Sequence, residues 1–442
     1  MPKEEKYVVL ISIDGMANYY LSDPKVKMPV LREVIKSGAG AKALVSIAPT
    51  ATWAIHTSLI TGTYPRKHGV LGNWVWDRSH KRVGEHFGER MWSKSESVLR
   101  PTLYDEAKSR GWTTASICWP RTREATTLDW NIPECYEQEL FEQYSTPGLW
   151  QELKDAGLPI DCYGVWSKDH ARGPMQDWLT TEIAKHLIRN HQPNLLMLHY
   201  LLPDSLQHDY GTCSNEVYWS LEYIDERIGE VIGAIKKAGL WDNTDLFIIS
   251  DHGFVDTTKS LYPNVLFKQK GWFTEENPSQ SKVIAGSNGG MGYVYILEEG
   301  AGREQLIAEV RSLLHQTTGI GVVFERNQFA EMGLPAEGEL ENHTPDFIFE
   351  SELDTFIHFD PSGETILRQN SKFSGMHGYL PQHEKMKAIF AATGKSIQPG
   401  TKLEEVKMVD IAPTIMRLIG GKLPDADGQP LDKIWKEGVV IG

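Results

Sequence analysis

Short apolar runs, each closed by a polar residue, recur along this chain. "YVVLISIDG" (7–15) is a β-branched run ended by Asp-Gly and reads as a strand buried on both faces. "PVLREVIKSG" (29–38) places its apolar residues at helical spacing and stops at a glycine. The pairing repeats in "LYDEAKSRG" with "TTASICWP", "TEIAKHLIRNH" with "NLLMLHYLLPD", and "YWSLEYIDERIGEVIGAIKKAG" with "TDLFIISDHG". Helix, short loop, apolar strand and polar strand end predict an α/β fold, with a mostly parallel central sheet and helices on both faces. In such sheets functional groups gather beyond the carboxyl ends of the strands. Three strands lead to an acid there: Asp14, Asp204 and Asp251.

Two stretches break the rhythm. Residues 121–175 are rich in Trp, Tyr and Glu, with little clean periodicity. Residues 256–375 carry loop signals such as "ENPSQS" and "LPAEGELENH" around a helix at 303–315 and the strand "GYVYILE". We expect one catalytic domain over 1–442, with insertions at 121–175 and within 256–375 forming a cap over the crevice. The chain end, "KMVDIAPTIMRLIGGKLPDADGQPL", returns to a helix closed by Gly-Gly.

Composition narrows the function. The chain has 442 residues, 40% hydrophobic, which is ample for a large core. A formal net charge of −14 and no dense Lys/Arg run argue against duplex nucleic acid as a partner. An acidic protein acting on an anionic substrate needs a local positive centre, which metal ions supply. No apolar run reaches the roughly 18 residues that span a bilayer. The N-terminus carries no signal-peptide pattern, so a cytoplasmic protein with no membrane partner is expected. Cys118, Cys135, Cys162 and Cys213 show no CxxC spacing and no disulfide framework.

The chemistry concentrates in a few stretches. Asp204 and His208 stand four apart, on one face of a helical turn and within reach of one cation. Asp251 and His252 are adjacent at a strand end, and Asp14 and His377 complete three Asp and three His. With Thr52 they form two ligand groups suited to zinc, Asp/His/His and Asp/Asp/His plus a hydroxyl. Singly each has a plain alternative: a chance DxxxH, a turn at "SDHG", a loop histidine, a helix-capping threonine. Together they explain Thr52 in "APTATWAIHTSLITG". Zinc lowers a hydroxyl's pKa toward neutrality, and the helix that starts there offers free N–H groups to a phosphate.

Taken together, "VVLISIDGM", "APTATWAIHTSLITGTYPRKHGVLGN", "HYLLPDSLQHDYG", "IISDHGF" and "GMHGY" resemble the alkaline phosphatase superfamily, and within it the nucleotide pyrophosphatase/phosphodiesterase branch. The resemblance implies an alkaline phosphatase-like fold. It implies Thr52 as nucleophile and Asn73 as donor to a non-bridging phosphoryl oxygen. It further implies Asp14, Thr52, Asp251 and His252 on one zinc and Asp204, His208 and His377 on the other, with manganese or iron acceptable to the same donors. The expected activity is zinc-dependent hydrolysis of a small phosphodiester or nucleotide phosphoanhydride through a phospho-threonine. Trp53 is expected to stack on a base or aryl leaving group. "TWAIH" departs from the family's T-F-P-N-H, and His199 replaces an expected tyrosine. Phosphonoacetate hydrolases are similar to this branch, so C–P cleavage of a phosphonate, with Arg121 or Arg123 on the substrate, is an alternative. So are a phosphate monoesterase and, in another class, a non-catalytic metal-binding module.

Overall fold

The computed structural model describes residues 6–84, 92–369 and 372–438. Its centre is an eight-stranded sheet in the order Thr401–Lys407, Ala39–Val45, Phe390–Gly394, Thr244–Ser250, Tyr7–Ile13, Leu195–Tyr200, Thr114–Trp119, Trp130–Pro133. Only Phe390–Gly394 runs antiparallel to both its neighbours. Tyr7–Ile13 is buried at every position, as a strand covered on both faces must be.

Register places the chemistry. Ile13 pairs with Tyr200 on one side and Ser250 on the other. The three strands therefore end in line, and Asp14, Asp204 and Asp251 follow those ends at one edge of the sheet. The expected helices are present as Pro29–Ser37, Leu103–Ser109, Gly173–Asn190, Asn215–Lys237, Arg303–Gln316 and Ile411–Ile419. Helix Thr52–Thr61 is buried along its whole length. Its mid-helix hydroxyls are satisfied internally: Thr57 and Thr61 donate to the carbonyls of Trp53 and Thr57, each at 2.7–2.8 Å.

The stretch 256–375 is more regular than its composition suggests. It builds a second, antiparallel sheet in the order Val283–Asn288, Met291–Ile296, Phe347–Ser351, Ile320–Glu325, with its own apolar core. The expected strand "GYVYILE" is found as Met291–Ile296, and the glycines of "IAGSNGGMGY" serve close approach. A Cβ on Gly286 would lie 1.8 Å from the Trp74 ring. Residues 121–175 supply the edge strand Trp130–Pro133 of the central sheet and then a run of short helices, among them Gln138–Tyr144, Leu149–Asp155 and Tyr163–Ser167.

Candidate active site

Thr52 is the first residue of its helix, not the cap. Ala51 occupies the cap position and no side chain caps the end. The Thr52 hydroxyl instead lies 3.3 Å from His252 Nε2. The capping reading of this threonine is thus replaced by a hydroxyl turned toward a cluster of acids and imidazoles.

The cluster contains the expected residues. His252 Nε2 is 3.3 Å from Asp14 Oδ1 and 3.2 Å from Asp251 Oδ2. His208 Nε2 and His377 Nε2 lie 3.4 and 3.7 Å from the two oxygens of Asp204. Asp204, His208 and His377 converge as one potential metal-ligand group, and Asp14, Asp204 and His252 as an adjoining one.

Hydrogen bonding on the far side of each ring fixes what the near side offers. Nδ1 of His208 donates to the Gly375 carbonyl at 3.0 Å, that of His377 to Thr50 at 2.8 Å, and that of His252 to Gly253 at 3.2 Å. With the proton on Nδ1, each Nε2 presents a lone pair to the centre, as a metal-bound imidazole does. Opposite these lone pairs stand Asp14 Oδ1, Asp204 Oδ1 and Asp251 Oδ2, all buried without a hydrogen-bond partner. Lone pairs facing unpartnered carboxylate oxygens repel unless cations lie between them. The donor set is therefore one that fits divalent metal ions.

The electrostatics agree. Burial, with Asp251 and Asp204 nearby, holds the Asp14 carboxyl well above the usual range, and burial pushes Asp204 up to about 6. Burial also pushes His208 down to about 4 and His377 to about 3, so both rings are neutral at pH 7.

A cavity of about 250 Å³ opens onto this centre, and Thr52, Asn73, Asp204, His208 and His377 line it. Asp251 and His252 are fully buried at its floor. Asn73 Oδ1 accepts the Trp53 backbone N–H at 3.0 Å. That bond satisfies one first-turn amide and leaves the Asn73 NH₂ group free to donate. The loop carrying Asn73 is clamped by Asn288 of the second sheet, which accepts from Trp74 N at 2.9 Å and donates to Trp74 O at 3.1 Å.

The remaining expected contacts differ. Trp53 borders the cavity but is only 1% exposed, with the Arg121 guanidinium 5.1 Å from its ring, so most of the indole is core. Arg121 is itself buried, Arg123 stacks 4.1 Å from the Tyr144 ring, and neither is among the described residues lining the cavity. Their long side chains are taken up by aromatic faces. Of 121–175, Glu134, Tyr136, Trp166 and His170 form one wall. Of 256–375, Phe373 alone of the described residues reaches the cavity; the second sheet buttresses the Asn73 loop from the side.

Three residues at the centre were given no role by the sequence reasoning. His56 packs beneath the centre, its Nδ1 2.8 Å from Thr52 O and its Nε2 2.9 Å from Ser12 Oγ. Its spacing of four from Thr52 was the available signal. His199 is fully buried, 3.4 Å from Asp14 Oδ2 and ring to ring with His56 at 4.2 Å. Glu134 lines the cavity, 7% exposed, and burial pushes its carboxyl up to about 8; nothing in "NIPECY" marks it.

Known proteins are similar to this chain in sequence and in fold. A family model described as type I phosphodiesterase / nucleotide pyrophosphatase matches residues 8–380. Ectonucleotide pyrophosphatase/phosphodiesterase family member 7 of Rattus norvegicus is 25% identical over 436 residues, covering 97% of this chain and 86% of that protein. A bis(5'-adenosyl)-triphosphatase of Bos taurus is 23% identical over 430 residues, covering 94% and 78%. An inactive form of murine ectonucleotide pyrophosphatase/phosphodiesterase 5, in complex with AMP, superposes with a TM-score of 0.70 at 16% identity, covering 96% of this chain and 98% of that one.

Proposed function

This chain belongs to the type I phosphodiesterase / nucleotide pyrophosphatase family, a family of phosphoric ester hydrolases, and from that premise we propose that it cleaves phosphodiester or phosphoanhydride bonds through a covalent phospho-threonine. The observation that carries the proposal is the Thr52 hydroxyl, 3.3 Å from His252 Nε2 at the uncapped start of a buried helix. The neighbouring AMP complex supports a nucleotide as one substrate class.

In this reading Asp14, Thr52, Asp251 and His252 would hold one zinc, and Asp204, His208 and His377 a second. Bound there, the ions would supply Lewis-acid charge that makes the hydroxyl acidic and neutralises phosphoryl oxygens. The chain's own residues do the rest. Helix Thr52–Thr61 aims Thr52 Oγ1 into the cavity, and the positive end of its dipole favours the phosphoryl charge there. Asn73 donates its NH₂ to a non-bridging oxygen while its carbonyl stays locked on Trp53 N–H. Thr52 attacks phosphorus and the leaving group departs on the opposite side, toward Asp204, His208 and His377. Water then enters along that path and hydrolyses the phospho-threonine. A neutral amide at position 73, with no Lys or Arg among the described lining residues, suits a diester better than the more highly charged monoester.

The test is hydrolysis of bis-p-nitrophenyl phosphate beside p-nitrophenyl phosphate and phosphonoacetate, before and after chelation. Thr52→Ala is expected to abolish turnover. Retention of more than a few per cent of diesterase activity in that variant would falsify the covalent route. Preference for phosphonoacetate would move the assignment to C–P cleavage.

A further inference from the structure

A second convergence of metal-binding side chains lies away from the cavity. Glu152 comes from helix Leu149–Asp155, His186 from the last turns of helix Gly173–Asn190, and His191 from the residue that ends that helix. Both imidazole Nε2 atoms meet Glu152 Oε1, at 2.6 Å from His186 and 2.7 Å from His191. The three donor atoms lie within 4.8 Å of one another. His191 precedes strand Leu195–Tyr200, whose far end leads to Asp204. Six residues of strand separate the cluster from the cavity by about 20 Å.

We propose that Glu152, His186 and His191 form a divalent transition-metal site that ties helix Leu149–Asp155 to the end of helix Gly173–Asn190. Two imidazole nitrogens and a carboxylate, with a position left for water, are a donor set that zinc accepts. The rings are already held. Trp130 covers His191 at 4.6 Å between ring centroids, and Asn190 Nδ2 lies 3.1 Å from His186 Nδ1. Without metal each Nε2 carries the proton it donates to Glu152. On binding, each Nε2 exchanges that proton for the ion, and on His186 the ring proton then sits on Nδ1, where a turned Asn190 amide accepts it. The Glu152 and His191 side chains are 37% and 23% exposed, so an ion reaches the site from solvent. It would also sit at the negative end of an 18-residue helix.

The test uses the full-length protein and zinc alone. After dialysis against micromolar zinc, the wild type is expected to hold one zinc per chain more than Glu152→Gln or His191→Ala. Zinc should also raise its Tm further than it raises theirs. Glu152→Gln keeps an acceptor for both rings and carries the comparison if His191→Ala fails to fold. Zinc content and Tm shifts equal in wild type and variant would overturn the proposal and leave a purely hydrogen-bonded trio.

Discussion

The rings of His252 and His377 stack 3.9 Å apart at 10° between planes, although one follows a central strand and the other comes from a distant loop. Two imidazolium ions would not tolerate that contact. Both rings are neutral, with Nδ1 committed to a backbone carbonyl and Nε2 turned to the carboxylates. The stack joins the Asp14/Asp251 side of the centre to the Asp204/His208 side. His377→Ala should therefore lower zinc content and reduce kcat by more than about 100-fold, beyond the loss expected for an outer partner. Metal analysis and steady-state kinetics on one preparation check this; unchanged zinc content with unchanged kcat would remove His377 from the centre.

Asn73 has two separable jobs. Its carbonyl accepts from Trp53 N–H, and its NH₂ faces the cavity. Asn73→Asp keeps the acceptor and removes the donor. Its Tm should match the wild type while kcat on a diester falls on the order of 10²-fold. A large fall in Tm with kcat preserved would make Asn73 a structural residue.

Acid should destabilise the protein partly through His68, away from the cavity. Burial pushes His68 down to about 3, with Arg121 adding to the effect. Its Nδ1 accepts from Val70 N–H at 3.2 Å, so its proton sits on Nε2 toward Ser58. Below about pH 6.5 the unfolded chain takes up a proton here that the folded chain refuses. Stability from this residue is therefore whole above pH 6.5 and declines as pH falls toward 3. In urea denaturation, His68→Gln should flatten the slope near pH 5 by about 1.4 kcal/mol per pH unit. An unaltered slope would mean the ring is already charged in the fold.

Gly286→Ala tests how tightly the second sheet is fitted to the loop that carries Asn73. The added methyl would lie 1.8 Å from the Trp74 ring. A loss of about 1–3 kcal/mol is expected, with kcat reduced because Trp74 adjoins Asn73. Unchanged stability in a denaturant titration would show that Trp74 moves aside freely.

Much of this was legible along the chain. The α/β class, the parallel strands and the strand-end acids follow from apolar runs that a buried strand requires. The second sheet was legible only in its strand "GYVYILE", because the glycines before that strand serve contacts with residues far away in sequence, which local pattern does not reveal. Arg121 and Arg123 looked available to a substrate, and only packing shows them lying against Trp53 and Tyr144.

By itself the sequence determined which donor types exist and which strand ends bear them, since period and composition are local properties. Tertiary structure supplied the geometry: the register that lines up the strands before Asp14, Asp204 and Asp251, the three Nε2 lone pairs that point inward, and the 3.3 Å between the Thr52 hydroxyl and His252. Those outcomes depend on strand register and on backbone carbonyls that orient each ring, and neither is encoded by spacing along the chain.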